Sequence, residues 1–302
     1  MEIIETKVST ILRPTGIDLA SYVINPYQGC QLGCFFCYAQ FNRVAQKEKM
    51  SWGSYVKVKI NALEVLEQEL DKLKPKKILL GSTTECFQPI EKKFKITGQI
   101  LKLLNNRKIK YIILSRAPLI AEYLPWLRQG FCETIYFTVD VLPDRLRKIS
   151  QPQAIATSRS IQIINNLTQN KINVIAYFCP IMPWLFDSQD VLNKIPGKMK
   201  YTEFEILNFN MAGSQGIMKF IKDFYPEHVK NYTKLLKNKS FYEKTINNLE
   251  REIKDSFNKK FTIIRVHKHK YGNYFNNRYD PAKVILVLFY LSAISFLRHG
   301  FL

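Results

Sequence analysis

Over roughly the first two hundred residues, short apolar runs alternate with stretches in which apolar side chains recur every three or four positions, uninterrupted by repeats or Gly/Ser-rich linkers. The runs at 21–25, 77–82, 111–115, 134–139, 174–179 and 203–207 read as strands, apolar enough to be buried on both faces. Between them Leu63, Leu66, Leu70 and Leu73 keep helical spacing up to Pro75; 96–104, 119–127 and 159–167 read as further helices, the middle one kinked or restarted at Pro125. Such alternation predicts parallel β/α units, connected right-handed and curling into a full or partial barrel with the helices outside. In barrels of this kind chemistry belongs at the C-terminal strand ends, and the polar clusters fall there. A Gly- and Cys-rich loop follows the first strand, 82–91 the second, Ser115 and Arg116 the third, Asp140 the fourth and 180–187 the fifth. From about residue 220 the chain turns to Lys, Asn and Tyr with helical spacing, strongest at 241–257, and shows no further clear β/α unit. The expected organisation is an N-terminal segment (1–19), an α/β core (20–215) and an α-rich C-terminal extension (216–302).

Composition narrows the partners more than the fold. A chain of 302 residues, 46% hydrophobic, is long enough for one large core, which excludes disorder and collagen-like repetition. The net charge of +20 attracts phosphates or anionic lipid, yet much of it is Lys scattered among Ile and Asn, as on any solvated basic surface. The first ten residues carry Glu2 and Glu5 and no apolar leader pattern, so the chain is expected to be cytoplasmic with reduced thiols. The apolar run at 284–297 is fourteen residues long. A bilayer needs roughly 18–20, so stable membrane insertion is not expected.

The cysteines bring in chemistry. Within 25–39 the thiols Cys30, Cys34 and Cys37 are spaced C-x3-C-x2-C, and Gly29 and Gly33 let the loop wrap tightly enough for all three to meet one metal centre. Zinc competes for such thiolates, but a closed zinc site needs a fourth ligand, and all four histidines lie at 228 or beyond. Only Cys86, Cys132 or Cys179 could complete it from afar, giving a zinc-stabilised, non-catalytic nucleic-acid-binding protein. A [4Fe-4S] cluster on three cysteines instead leaves one iron open for a ligand to bind and react.

The run C-x3-C-x-Φ-C, with Phe36 at the aromatic position, resembles the motif of radical S-adenosylmethionine (SAM) enzymes. The longer N-P-Y-Q-G-C…G-C…C-Y-A resembles the spore photoproduct lyase-like, or DNA repair photolyase-like, branch. The likeness spans about 20–230, with further matches after the strands. Residues 81–91 look like G-x-x-T-D-x-Y-Q-P-x-E; 115–119 look like T-K-S-P-L; Gln151-Pro152 with Arg159 resembles E-P and a downstream Arg; 179–187 resemble P-I-I-P-G-x-x-D. Departures are Glu85 for Asp, Arg116 for Lys, Gln151 for Glu and Trp184 for Gly.

The resemblance implies a partial (β/α)6 radical-SAM barrel. It also implies a [4Fe-4S] cluster on Cys30, Cys34 and Cys37, with S-adenosylmethionine on the open iron and cleaved to a 5′-deoxyadenosyl radical that abstracts hydrogen. Phe36 would pack on the adenine, unless it is plain core. Gly81, Ser82, Thr84 and Glu85 would meet the amino-acid part, Ser115 with Arg116 or Arg159 the carboxylate, and Thr138 or Asp140 the ribose. A flavodoxin- or ferredoxin-like electron donor is implied, and a nucleic acid is one substrate class. As aligned, the lyases return hydrogen from a Cys whose place here is Ser82, so Cys86 is the segment's candidate donor and an ordinary spore photoproduct lyase is not expected. On the residues alone, Gln88-Pro89 reads as a turn, and Cys86 and Cys179 read more readily as small buried hydrophobes than as ligands or hydrogen donors. His267 and His269 read as a solvated basic strand, and the aromatics and bases of 271–279 as a basic loop or a stacking surface for nucleic acid.

Overall fold

The computed structural model describes residues 1–151, 153–195, 199–209 and 214–272; the apolar run at 284–297, most of 271–279, and Pro152 lie outside them. Eleven strands are described: β1 (Glu2–Thr6), β2 (Leu12–Pro14), β3 (Tyr22–Ile24), β4 (Tyr27–Gln28), β5 (Tyr55–Lys59), β6 (Lys77–Leu80), β7 (Lys110–Ser115), β8 (Cys132–Val139), β9 (Val174–Ile181), β10 (Met199–Ile206) and β11 (Phe261–His267). Eight form the main sheet in the order β11-β10-β9-β8-β7-β6-β3-β2, parallel except for the β2 edge, while β1, β5 and β4 make a small second sheet. From β3 through β11 the strand order is the chain order, as right-handed β/α crossovers that never reverse direction require.

Each expected strand is present. The helices show why periodicity reads better than boundaries. In Ala62–Leu73 the buried positions are Ala62, Leu66 and Leu70, one per turn, each leucine stabilising by about 2 kcal/mol, whereas Leu73 faces solvent. The helix stops at Lys74, left-handed at φ +44°, whose N–H caps Leu70 O just before Pro75. Around Pro125 the expected helix is split, a 3-10 turn over Pro118–Tyr123 giving way to Leu124–Leu127.

Helices cover one face of the sheet, and the main core lies between them, with Ile78, Leu80, Ile113, Phe137, Phe178 and Phe204 pointing into it. The other, inner face carries a small cluster of Val23, Leu79, Ile112, Tyr136 and Ile175. Beyond it, toward the strand C-termini, the inner positions become polar.

The C-terminal extension is α-rich as expected and adds one strand to the sheet. Helix Lys239–Phe257 lays Phe257 against Phe204, ring centroids 4.8 Å apart, and the chain then enters the sheet as β11, parallel to β10 from Met199↔Phe261 to Glu205↔His267. Among the described residues no helix is long and apolar enough to cross a membrane.

Candidate active site

The cysteine loop leaves β3 and β4 and is clamped from beneath. Gln88, wholly buried, accepts from Gln31 N with its Oε1 (2.8 Å) and donates to Thr84 Oγ1 (3.2 Å), while Thr84 Oγ1 donates to Gly29 O (2.7 Å). Gln88 is therefore more than a turn residue: it pins the cysteine loop to the loop after β6. Gly29 has φ +81°, and a Cβ there would sit 2.5 Å from Tyr55 O. Asn25 spans the same gap, donating to Ser82 Oγ (3.1 Å) and accepting from Thr83 N (2.9 Å). Gly81, at φ +86°, turns the chain where a Cβ would meet Leu114 O at 2.5 Å.

Cys30, Cys34 and Cys37 are free thiols close enough to influence each other's charge. Burial pushes the Cys34 thiol up to about 12, against the lowering pull of Arg116, and burial also raises Cys30 and Cys37. Thiols that resist ionisation alone are stabilised as thiolates by metal, and Arg116 supplies the nearby positive charge. Its Nη1 donates to Cys34 Sγ (3.6 Å) and to Gln151 Oε1, and its Nη2 reaches Cys179 O (3.4 Å). Gln151 Nε2 in turn donates to Asp140, whose Oδ1 accepts from Leu142 N (2.7 Å). A neutral amide thus bridges Asp140 and Arg116, where the family pattern has Glu; a second carboxylate would face Asp140. Among the described residues no three His, Cys, Asp or Glu groups stand close enough to grip one ion.

The structure gathers most, not all, of the expected site. Glu85 is buried with both oxygens engaged, by Ser115 Oγ (2.8 Å) and Phe87 N (3.0 Å) on one and Arg116 N (2.8 Å) on the other; burial raises its carboxyl. Its observed contacts tie the β6 and β7 loop ends together. Phe36 is buried beside Phe35, ring centroids 5.1 Å apart, and Phe35 stacks on Phe220 of the C-terminal extension at 4.5 Å. Thr138 is half-buried at the end of β8. Arg159 is not brought in: it is exposed on helix Thr157–Gln169 and donates to Gln162 (2.9 Å). Cys86 is completely enclosed in the core, its backbone oxygen taken by Thr97 Oγ1 (2.6 Å).

Sequence reasoning missed what lies across the inner face on β9, β10 and β11. Glu205 Oε2 accepts from Tyr177 Oη (2.6 Å) and Cys179 Sγ (3.4 Å), and its Oε1 faces His269 Nε2 (3.1 Å). One step along β10, Glu203 accepts from Tyr201 Oη (2.6 Å) and Arg265 Nη1 (3.4 Å) and faces His267 Nε2 at 2.5 Å. The imidazoles read as solvated are thus each bound to a carboxylate. Burial works to raise Glu205 and Glu203, but their histidine and tyrosine hydrogen bonds outweigh it and hold both below the ordinary carboxylate value. Cys179 goes the other way, raised by burial and by Glu205, so it keeps its proton. The alternation of Glu203 and Glu205 on β10 was the one available signal.

Residues 24–194 match the sequence profile of the radical SAM superfamily. An uncharacterized protein of Methanocaldococcus jannaschii is 28% identical over 252 residues, 83% of this chain and 95% of its own length. Among solved structures, spore photoproduct lyase complexed with dinucleoside spore photoproduct superposes with a TM-score of 0.59 at 12% identity, over 87% of this chain and 81% of that one. A variant of the same lyase with bound AdoMet and the dinucleoside gives 0.57 at 12% identity, over 88% and 81%. At such identity these structures speak for the fold.

Proposed function

The chain belongs to the radical SAM superfamily, and from that premise we propose that Cys30, Cys34 and Cys37 hold a [4Fe-4S] cluster serving a hydrogen-abstracting enzyme whose substrate lies on the inner face of the sheet. Members of the superfamily use an iron–sulfur cluster, S-adenosylmethionine and a reductant; here the reductant is taken to be a flavodoxin- or ferredoxin-like protein. The observation that carries the reading is the grouping of three free thiols on one loop, Cys30 and Cys34 buried and Cys37 half-buried, with the half-buried Arg116 guanidinium donating to Cys34 Sγ. When bound, the cluster supplies the electron that splits S-adenosylmethionine into methionine and a 5′-deoxyadenosyl radical.

This chain's side chains then divide the work. Arg116, kept charged by Cys34 and Asp140 although burial alone would lower it, offsets negative charge at the thiolates and offers a partner for the methionine carboxylate. The turn at Gly81, Ser82 and Thr84 meets the amino-acid part, Ser115 and Glu85 hold that turn in place, Phe36 lies against the adenine, and Thr138 with Asp140 serves the ribose. Cys86, expected from sequence to return hydrogen, is walled into the core. In this reading that role passes to Cys179, whose protonated thiol donates to Glu205 Oε2 beside Tyr177 and whose backbone oxygen accepts from Arg116 Nη2. Ser82 cannot stand in, because an O–H bond is too strong to give its hydrogen readily to a carbon radical. For the same reason the protein is proposed not to be an ordinary spore photoproduct lyase, with nucleic acid retained as a substrate class.

Anaerobic reconstitution tests the reading. About four irons per chain, a brown colour lost in Cys34→Ala, and slow 5′-deoxyadenosine formation on reduction support it. A colourless protein with one tight zinc sinks it in favour of the zinc-stabilised binding protein. Irradiated thymine dinucleotide repaired efficiently, and equally by Cys179→Ala, would refute the choice of donor.

A further inference from the structure

Behind the cysteine loop lies a second cavity, of about 450 Å³, that shares none of its lining with Cys34, Arg116, Gln151 or Cys179. Its walls come from the segment between β1 and β2, from the β4 and β5 sheet, and from Asn25 and Thr83 at the C-terminal ends of β3 and β6. It therefore opens beside the same strand ends as the site already described.

Its charge is one-sided. Lys7, Arg13 and Lys59 line it, no Asp or Glu does, and none of the three cations has a carboxylate partner among the described residues. The nearby acids are already occupied: Glu48 by Lys57 (2.8 Å) and Gln28 (2.6 Å), Glu69 by Ile11 N and Leu12 N (3.0 and 2.7 Å). Burial, and then the charge of Arg13, press Lys59 down to about 8, the mark of an ammonium lacking a counter-ion. A further lining residue, Trp52, has its indole Nε1 enclosed without a hydrogen-bond partner. Buried donors are rarely left so.

We propose that this cavity binds the phosphate of an organic phosphate, seated between Lys59, Arg13 and Lys7. Three cations without a carboxylate among them suit a multiply charged, multiply accepting anion better than a carboxylate, and the volume admits more than the phosphate alone. The cavity also touches the cofactor loop. Lys59 Nζ donates to Asn25 O (2.6 Å), and the Asn25 side chain fixes Ser82 and Thr83. The inference rests on the proposed function in one respect: a phosphate held here belongs to a molecule reaching the same barrel mouth, which makes the substrate a phosphate-bearing one. A nucleic-acid backbone and a free phosphorylated metabolite share that chemistry.

The test uses reconstituted full-length protein with inorganic phosphate, ribose 5-phosphate and a fluorescent single-stranded decanucleotide. Calorimetry is expected to show saturable phosphate binding, weakened roughly tenfold or more in both Arg13→Gln and Lys59→Met. If the source is a polymer, the decanucleotide binds more tightly than ribose 5-phosphate, and each substitution lowers the slope of log affinity against log salt by about one. If it is a metabolite, the order of affinities reverses. No phosphate binding by the wild type, or equal binding by both variants, overturns the proposal. Reductive 5′-deoxyadenosine formation without substrate should persist in Arg13→Gln; its absence from the wild type would instead remove the function on which the inference builds.

Discussion

The two ends of the main sheet are built on opposite plans. On the β3-to-β8 side, buried carboxylates are enclosed and saturated by several donors each, from neighbouring and distant segments alike: Glu85 has three, and Glu91 receives Tyr27 Oη, Tyr123 Oη (2.8 Å), Thr97 N and Gly98 N (both 3.0 Å). On the β9-to-β11 side, carboxylates pair with imidazoles more than sixty residues distant, and Glu205 and His269 keep about a quarter of their side-chain surface exposed. The first plan suits a rigid cradle for a cofactor that never changes. The second leaves polar groups accessible and titratable, as a site for an exchanging substrate requires.

Substitutions can break this contrast. The largest effect is expected at Glu91→Ala, which strands four donors in the core; urea unfolding should report a loss of about 3–5 kcal/mol. Next comes Arg116→Met. Reductive 5′-deoxyadenosine formation should fall by roughly a hundredfold, with Arg116→Lys keeping part of the rate, since the guanidinium bridges Cys34, Gln151 and Cys179 at once.

Gln151→Glu sharpens the contrast. A carboxylate set against Asp140 repels it, so the rate of reductive 5′-deoxyadenosine formation should drop roughly tenfold. The smallest effects belong to the far side. Substrate-free 5′-deoxyadenosine formation in Glu205→Gln should stay within about twofold of wild type; a hundredfold loss would mean that the two ends are one site. Because Glu203 and Glu205 titrate below the ordinary 4.5, their contribution is complete above that pH and disappears as acid carries them through their lowered native values. Wild-type stability should therefore fall more steeply below pH 4.5 than that of Glu203→Gln, by about 1 kcal/mol in an acid titration followed by circular dichroism.

The same contrast explains what the sequence made legible. The cradle is local: its thiols stand within eight residues, and the loops that hold them follow apolar runs whose length and spacing announce strands. The far side has no such signature. Arg265, His267 and His269 alternate with other polar or aliphatic residues as on any exposed strand, and only the pairing of β11 with β10 places Glu203 and Glu205 opposite them. Of the two readings of Cys86, its burial fits the buried hydrophobe. Its nearness in sequence to Ser82 said nothing of which side of the sheet its thiol would occupy, and the turn at Gly81 delivers it to the core.

Strand order in the sheet carries a consequence for the timing of synthesis. The cysteine loop leaves the ribosome early, but it is tied down late: Phe35 N–H bonds to Ser150 O (3.1 Å), and Arg116 reaches Cys34 together with Gln151. Eighty-two residues separate Cys34 from Arg116 and 117 separate it from Gln151, on the order of 10 s of elongation. Throughout that interval the nascent chain carries three reactive thiols without their enclosure. Under the proposed cluster ligation, iron delivered then would meet an open loop, and loading would wait for the strands through β8 to line up in the order in which they are made.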